Sequence, residues 1–373
     1  MTQRTLRILH SASLSKFSSG VVRQMCWEQQ SATELGIPWR VALFCVECGK
    51  GAESITHVDS SLSWDFTDST ISKAVSWANF LRNYYRWLSE QVNNYDVLLL
   101  RYNVHDPFQL YFLYKCKKPV FLVHHTLEEA ELAVKPGLIA LLRQYSEKCI
   151  GRLSLRKTCG LVGVTNEILE YEACRSGLKN VRGYVYPNGI KYEKQSLVDP
   201  SPADVQIIFV AKHFSPWHGL DLIISAAGEV TDHFVIHLVG NVSESDKISL
   251  GLDDRFICHG TRSAVEIKEI AKHCCLGMSS FALGRIGMLE ASTLKVREYL
   301  ALGLPVYAGY KDVFPPDFKY YRQGKADLGE ILAYATEMMC ESKEEVSAAA
   351  RPYIDKTNLV KELYESIVID QKK

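Results

Sequence analysis

The chain has 373 residues, 47% of them apolar and 23% charged, enough for two or three domains and a sizeable hydrophobic core. Lysine plus arginine and aspartate plus glutamate number 43 each, so the formal net charge is zero and no chain-wide basic field points to nucleic acid. Met1 to His10 lack the apolar core of a signal peptide, no apolar run is long enough to span a bilayer, and 11 scattered cysteines fit reduced thiols, so a cytoplasmic protein is expected.

Short apolar runs alternate with longer helical stretches, the pattern of parallel strands covered by crossover helices. In the first half, strands are predicted at residues 6–10, 39–45, 96–101, 119–124 and 160–165. The first is followed by a serine-rich stretch ending in Gly20 and a helix from Val21. Gly20 would let a ligand approach the backbone where helix amides are free, although a serine-capped helix explains the same residues. Neither G-x-G-x-x-G nor G-x-x-x-x-G-K-[ST] occurs, which argues against nicotinamide enzymes and P-loop NTPases. Cys45 and Cys48 form the sole C-x-x-C pair, and no second pair of ligands accompanies them, so no metal is expected.

At the end of the fourth predicted strand, His124 and His125 precede an acidic run of Glu128, Glu129 and Glu131. Ligands of open α/β sheets collect beyond the carboxyl ends of strands, which places both histidines to meet a substrate. Arg101, ending the strand before, would contact an anion or, as the structural reading preferred here, pair with one of those glutamates. Residues 138–157 set Leu138, Leu142, Tyr145, Cys149 and Leu153 at helical spacing beside Arg143, Lys148, Arg152, Arg156 and Lys157. That fits either an interfacial helix at a membrane surface or a crossover helix packed on the core, and the aromatic segment 77–87 carries the same two readings.

The second set of strands is predicted at 206–211, 234–239, 256–259, 276–280 and 305–308, which makes two doubly wound domains. The first would span 1–187 and the second 205–353, with 188–204, including Pro200 and Pro202, as hinge and linker. An amphipathic helix within 354–373 is expected to pack back on the first domain. Lys212 emerges at the end of the second domain's first strand, and His218 and Gly219 open the next helix. Lys212 reads either as a cation for a leaving diphosphate or as a solvated strand-end lysine.

Two carboxylates, Glu290 and Glu298, lie eight apart across a predicted helix that starts near Ser292 and stops at Gly303-Leu-Pro-Val. Free amides in the first turn of such a helix make an anion site, whereas carboxylates accept hydrogen bonds from hydroxyls. Together they fit a sugar nucleotide. A helix capped by Ser292, with Glu298 on a solvated face, explains the same spacing.

Four segments in this order resemble a known family: the Gly20 loop, Val185-Tyr-Pro-Asn-Gly-Ile190, Phe209 to Asp221, and Ala282 to Val306 with its E-x7-E signature. They are similar to the retaining glycosyltransferases of GT-B fold, classification family 4, especially bacterial enzymes of capsule, exopolysaccharide and lipopolysaccharide biosynthesis. The resemblance implies two Rossmann-like domains facing each other across a cleft, with the nucleotide-sugar donor held by the second. Glu298 would then bind ribose, Glu290 would face the transferred sugar, and the amides of Thr293, Leu294 and Lys295 would hold the diphosphate. His124 would sit by the donor sugar and the acceptor, a glycan or lipid-linked glycan.

Where many members carry Gly-Arg and Lys-Gly, this chain has Ala211-Lys212 and His218-Gly219, so the second diphosphate cation is open, with Lys295, Arg285 and Arg297 as candidates. The resemblance also implies retention at the anomeric carbon, and protein cations in place of a metal. No cofactor is expected beyond the nucleotide sugar itself, and the enzyme would be cytoplasmic or peripheral on the inner membrane face. Two other readings remain: a GT-B sugar-nucleotide 2-epimerase, and a non-catalytic subunit that binds sugar nucleotide or glycan.

Overall fold

The computed structural model describes residues 5–16, 18–59, 70–133, 137–194, 197, 205–251 and 253–371. The chain forms two compact units, Met1–Pro187 with Lys356–Lys373, and Asn188–Asp355. Pro200 and Pro202 of the predicted linker lie outside the described residues.

In the first unit β1 (Ile8–Leu14), β2 (Trp39–Cys45), β3 (Thr56–Val58), β4 (Val97–Arg101), β5 (Val120–His124), β6 (Gly160–Gly163) and β7 (Gly183–Val185) make one parallel sheet. Its order is β3-β2-β1-β4-β5-β6-β7. The helices are α1 (Ser19–Leu35), α2 (Thr70–Gln91), α3 (Pro107–Lys115), α4 (Glu128–Ala133), α5 (Leu138–Lys157) and α6 (Asn166–Ser176).

The second unit holds β8 (Val205–His213), β9 (Phe234–Asn241), β10 (Phe256–Gly260), β11 (Leu276–Met278), β12 (Val306–Ala308) and β13 (Tyr321–Gln323), parallel in the order β10-β9-β8-β11-β12-β13. Its helices are α7 (Leu220–Ala227), α8 (Glu244–Leu250), α9 (Ala264–His273), α10 (Leu294–Ala301), α11 (Leu328–Met338) and α12 (Lys343–Ile354), before α13 (Lys356–Asp370) rejoins the first unit.

Both faces of the first sheet are covered, so its strands alternate between two cores rather than between core and water. Ile8, Val97, Leu99 and Phe121 join Met25 of α1 and Leu359 and Leu363 of α13 on one face. Leu9, Leu98, Leu100 and Leu122 join Phe80, Tyr84 and Phe112 on the other. Each such side chain, removed from water, contributes about 1.5–3 kcal/mol. Glu28 ties the first face together: 2% exposed, it accepts from Trp39 Nε1 at 2.9 Å and Tyr186 Oη at 2.9 Å, and meets His10 Nδ1 at 2.6 Å.

The strand predictions hold for the inner strands and for the edge strand β10, and miss the three other edges. β3, β7 and β13, three residues each, went unread because an edge strand has one neighbour and a short apolar signature. β1 runs to Leu14 rather than stopping at residue 10, since parallel pairing uses main-chain groups and tolerates Ser11 and Ser13 in register with Ala42 and Phe44. The segment 77–87 resolves toward the core, with Phe80, Tyr84 and Tyr85 buried. The stripe on α5 does not pack on the core: Leu138, Leu141, Leu142 and Tyr145 are each more than 60% exposed. Among the described residues no helix is long and apolar enough to cross a membrane.

Candidate functional site

In an open parallel sheet the loops leaving two neighbouring strands diverge where strand order reverses, and the crevice beyond their carboxyl ends is the natural ligand site. In the second unit that point lies between β8 and β11. Lys212 and the turn Pro216–His218 follow from β8, and the segment from β11 leads through Leu283–Ile286 into α10. The sequence-predicted residues of this unit therefore gather around one edge of one sheet.

Lys212 is exposed, on the bulge by which β8 shifts register against β9. The bulge depends on Gly240, at φ 133°, where a Cβ would stand 1.5 Å from the Ala211 carbonyl oxygen. Only glycine fits there.

His218 closes a capping box with Ser215, whose backbone N–H donates to His218 Nδ1 at 3.0 Å. Nδ1 is thus an acceptor and the proton sits on Nε2. Burial, followed by the charge of Lys295, lowers the pKa to about 4, so His218 is a neutral donor near pH 7 and not the second cation. Lys295 is the cation beside it. Burial lowers its pKa to about 8 and Glu298 opposes that shift, which leaves Lys295 charged at pH 7.

The helix starts later than its sequence suggests. Thr293, not Ser292, is the N-cap of α10, and its side chain makes no cap hydrogen bond because the hydroxyl meets Tyr310 Oη at 2.9 Å. Ser292 Oγ instead accepts from Asn188 N at 3.0 Å, and Asn188 Nδ2 donates to Ser292 O at 2.6 Å. The first-turn amides from Leu294 and Lys295 onward thus lack side-chain capping, as an anion site requires. With the helix starting at Leu294, Glu298 lies one turn into α10, half-buried near Lys295.

Three further predicted residues have protein partners. Glu290 pairs with Lys311, Nζ to Oε1 at 2.7 Å, across a parallel bridge between the same two residues. Lys311 was missed, though its position three residues past β12 carries the strand-end signal that flagged Lys212. Arg285 holds Asp221 of α7 with both terminal nitrogens, at 2.9 and 2.7 Å, and donates to Pro216 O at 2.7 Å, clamping its own 3₁₀ turn to the one at Pro216–His218 and to the start of α7. Arg297 is wholly buried, bidentate to Asp312 at 2.5 and 2.6 Å, and donates to Asn188 O. Neither guanidinium is an uncommitted cation for a diphosphate.

In the first unit, Gly20 is the second residue of α1, where a Cβ would meet nothing within 4 Å. Packing does not require glycine there, and Ser18 at the N-cap makes no side-chain hydrogen bond, so the serine-capped alternative is not what forms.

The histidine pair divides. His124 is 0% exposed, stacked on Tyr102 with centroids 4.4 Å apart, its Nδ1 3.2 Å from Glu128 and 3.9 Å from Glu172. Burial favours the neutral ring, but Glu128 and Glu172 outweigh it and the pKa is raised. His125 is half-buried, and burial together with Arg101 lowers its pKa well below the usual value. His125 is the histidine with solvent access.

One ligand atom each of His124, Glu128 and Glu172 lie within 4.8 Å of one another, a spacing that would suit a metal ion. The second Glu172 oxygen already takes Arg175 at 2.6 Å, and the carboxylates of Glu128 and Glu172 favour the charged form of the His124 ring. The donor set is joined to an ionic network but is not fully satisfied by it, since His124 Nε2 and Glu172 Oε1 are buried without a hydrogen-bond partner among the described residues. Arg175 extends it to Glu129 at 2.9 Å and to Glu147, which also accepts from Tyr102 Oη and the backbone N–H of His105.

No family model matches the chain, and no curated protein matches it. Solved structures do match over nearly the full length. The lipopolysaccharide outer core galactosyltransferase WaaB, in its apo form, shares 12% identity over 98% of this chain and 100% of its own, with a TM-score of 0.61. HepE of Anabaena in complex with UDP shares 14% over 97% and 99%, TM-score 0.64. A putative UDP-N-acetylglucosamine 2-epimerase from Listeria monocytogenes shares 11% over 98% of both chains, TM-score 0.56. At such identities the likeness establishes architecture: the fold is the GT-B pair of doubly wound α/β domains.

Proposed function

We propose that this chain is a glycosyltransferase that moves a sugar from a nucleotide diphosphate to a glycan or lipid-linked glycan acceptor, with retention at the anomeric carbon, in bacterial surface polysaccharide assembly. The observation that carries the reading is the start of α10, where uncapped amides, charged Lys295 and the Glu298 carboxylate meet at the strand-order reversal of the second sheet. The amides and Lys295 take the diphosphate, and Glu298 accepts from the ribose hydroxyls. HepE, of the same fold, has been solved with UDP and with UDP-glucose, which makes a uridine donor the first to test.

As the bond from anomeric carbon to phosphate breaks, negative charge gathers on the diphosphate. Groups already pointing at it stabilise the transition state more than the ground state. Lys212, Lys295 and the Nε2–H of His218 are those groups, and protein cations balance the charge without a step assigned to a metal. Glu290, held by Lys311, faces the departing sugar. His125 is the first unit's hydrogen-bonding group toward substrate, with His124 as its buried support.

A lipid-linked acceptor is supported by the outer face of α5 and α3. Leu138, Leu141, Leu142 and Tyr145 are exposed there with Tyr111 and Tyr114. Lys157 lies over the Tyr114 ring at 4.9 Å, and the one carboxylate on these two helices, Glu147, is buried. An apolar surface rimmed only by cations matches an anionic leaflet.

The test is binding of UDP-glucose to the purified chain, read by thermal shift across a nucleotide-sugar panel and by calorimetry. Glu298→Ala is expected to weaken binding roughly tenfold to a hundredfold, the value of one or two hydrogen bonds to a charged group. Unchanged affinity of that variant would sink the ribose assignment. The Listeria neighbour keeps the epimerase reading in view. Epimerised free sugar nucleotide formed without acceptor would favour it over transfer.

A further inference from the structure

The first sheet reverses its strand order between β1 and β4, and a cavity of about 110 Å³ opens there, past the carboxyl ends of both strands. Its walls include Ser13 and Ser15 from the end of β1, Asn103 and His105 from the loop after β4, Trp77 of α2 and Arg143 of α5. None of them has a part in the donor chemistry proposed above.

His105 is the sole non-glycine residue with positive φ among the described residues, at 44°. A side chain in that region costs on the order of 1–2 kcal/mol, so the surroundings must hold it there. They do so from two sides: buried Glu147 accepts its backbone N–H, and its ring stacks on Trp77 with centroids 5.6 Å apart at 27°. The ring nitrogen Nδ1 is buried without a hydrogen-bond partner. Burial, and then the charge of Arg143, bring the pKa to about 4, so the ring is neutral at pH 7. An unsatisfied nitrogen on a neutral ring at a cavity wall calls for a hydroxyl from outside the protein.

Arg143 is exposed and makes no hydrogen bond or ion pair with any described residue. The neighbouring carboxylates are committed elsewhere. Asp106 caps α3 through Phe108 N and Gln109 N and accepts from Tyr85, while Glu147 holds Tyr102, His105 and Arg175. Asn103 uses its amide nitrogen on Ser13 Oγ at 3.0 Å, which leaves the carboxamide oxygen as an acceptor.

Stacked aromatic rings, small hydroxyls, an amide oxygen and one unpaired guanidinium make a recognisable set. A flat apolar surface suits the C–H face of a pyranose, the polar groups suit its hydroxyls, and the guanidinium suits a planar or tetrahedral anion. The space is well below the roughly 300 Å³ of sites that enclose a whole drug-sized ligand, so it grips one residue of a larger molecule.

We propose that this cavity binds one residue of the acceptor glycan and that the residue is an acidic sugar, its carboxylate or phosphate held by Arg143. The inference rests on the transferase reading and names its acceptor class. A neutral sugar would leave the guanidinium without a counterpart, whereas a uronate or a sugar phosphate supplies one.

The experiment titrates the full chain with methyl β-glucuronide, glucose 6-phosphate and methyl β-glucoside, binding read by saturation-transfer NMR, with UDP-glucose affinity measured in parallel. At least one anionic sugar is expected to bind roughly fivefold or more tighter than the glucoside. Arg143→Gln, at an exposed position, should abolish that preference, while Arg156→Gln further along the same helix leaves it intact. Which anion binds better identifies the acidic group, and either result supports the site. Equal affinity for the three sugars, no saccharide binding at all, or a preference that survives Arg143→Gln overturns it. UDP-glucose affinity unchanged in Arg143→Gln separates this site from the donor site, whose own failure would show as no UDP-glucose binding by the unaltered protein.

Discussion

Arg297 and Asp312 face each other in a bidentate ion pair with both side chains wholly shielded from water, one residue before the carboxylate assigned to ribose. Arg297 also reaches the Asn188 carbonyl, and Asn188 in turn holds Ser292 at the entry to α10. A buried arginine so placed fixes both the rotation of α10 and the start of its first turn. That is where the proposed anion site lies.

Removing one partner leaves the other charge buried. Arg297→Met is expected to cost the protein about 3–5 kcal/mol, and Asp312→Leu a similar amount, while the double variant recovers most of the loss. Urea unfolding of the four proteins gives the coupling. Additive losses in the double variant would mean that the pair does not act as a unit.

Lys295 has its pKa lowered to about 8 by burial, so its charge is present below that value and lost above it. Affinity for UDP should therefore fall as pH rises through about 8, by up to tenfold per unit. Lys295→Arg stays charged throughout and should flatten the profile. Calorimetry between pH 6.5 and 9.5 checks both, and an unaltered protein with no such fall removes Lys295 from the diphosphate.

The two histidines should separate stability from transfer. His124→Ala leaves Glu128 and Glu172 buried with less compensation and is expected to destabilise by about 3 kcal/mol or more. Because its folded pKa is raised, the stability it contributes is complete below the unfolded value of about 6.5 and is lost as pH rises through the folded one. His124→Gln should lack that dependence in urea midpoints between pH 5 and 9. His125→Ala, by contrast, should unfold at a near-normal midpoint and lose transfer at limiting donor by roughly a hundredfold or more.

On the outer face of α5, Leu142→Glu with Tyr145→Glu places two carboxylates against the proposed anionic leaflet. Co-sedimentation with vesicles containing phosphatidylglycerol should fall at least tenfold, with no change in the thermal midpoint, because both residues are more than 60% exposed. Retained binding by that variant would move the membrane surface elsewhere.

Much of the fold was legible because parallel strands buried on both faces leave dense apolar runs, as at Val97–Arg101 and Val120–His124. The site was less so, for reasons of distance along the chain. Whether Ser292 or Thr293 begins α10 is decided by Asn188, 104 residues before Ser292. Whether His124 meets solvent is decided partly by Glu172, brought beside it by a later strand and helix. No local pattern carries such partners. The α5 stripe had two readings for the same reason, since a spacing shows which residues share a face but not what that face meets.

Glu147 gathers Arg175, the Tyr102 hydroxyl and the backbone of His105 onto one carboxylate on the inner side of α5. The helix is thereby anchored from within, and its outward side chains carry none of that anchoring. Natural variation or engineering can rewrite the outer surface while the strained loop behind it keeps its shape. On the two readings proposed above, changes at Leu142 and Tyr145 would alter the lipid contact while Arg143 and the loop that carries His105 keep the sugar contact, so lipid and sugar preference could vary separately.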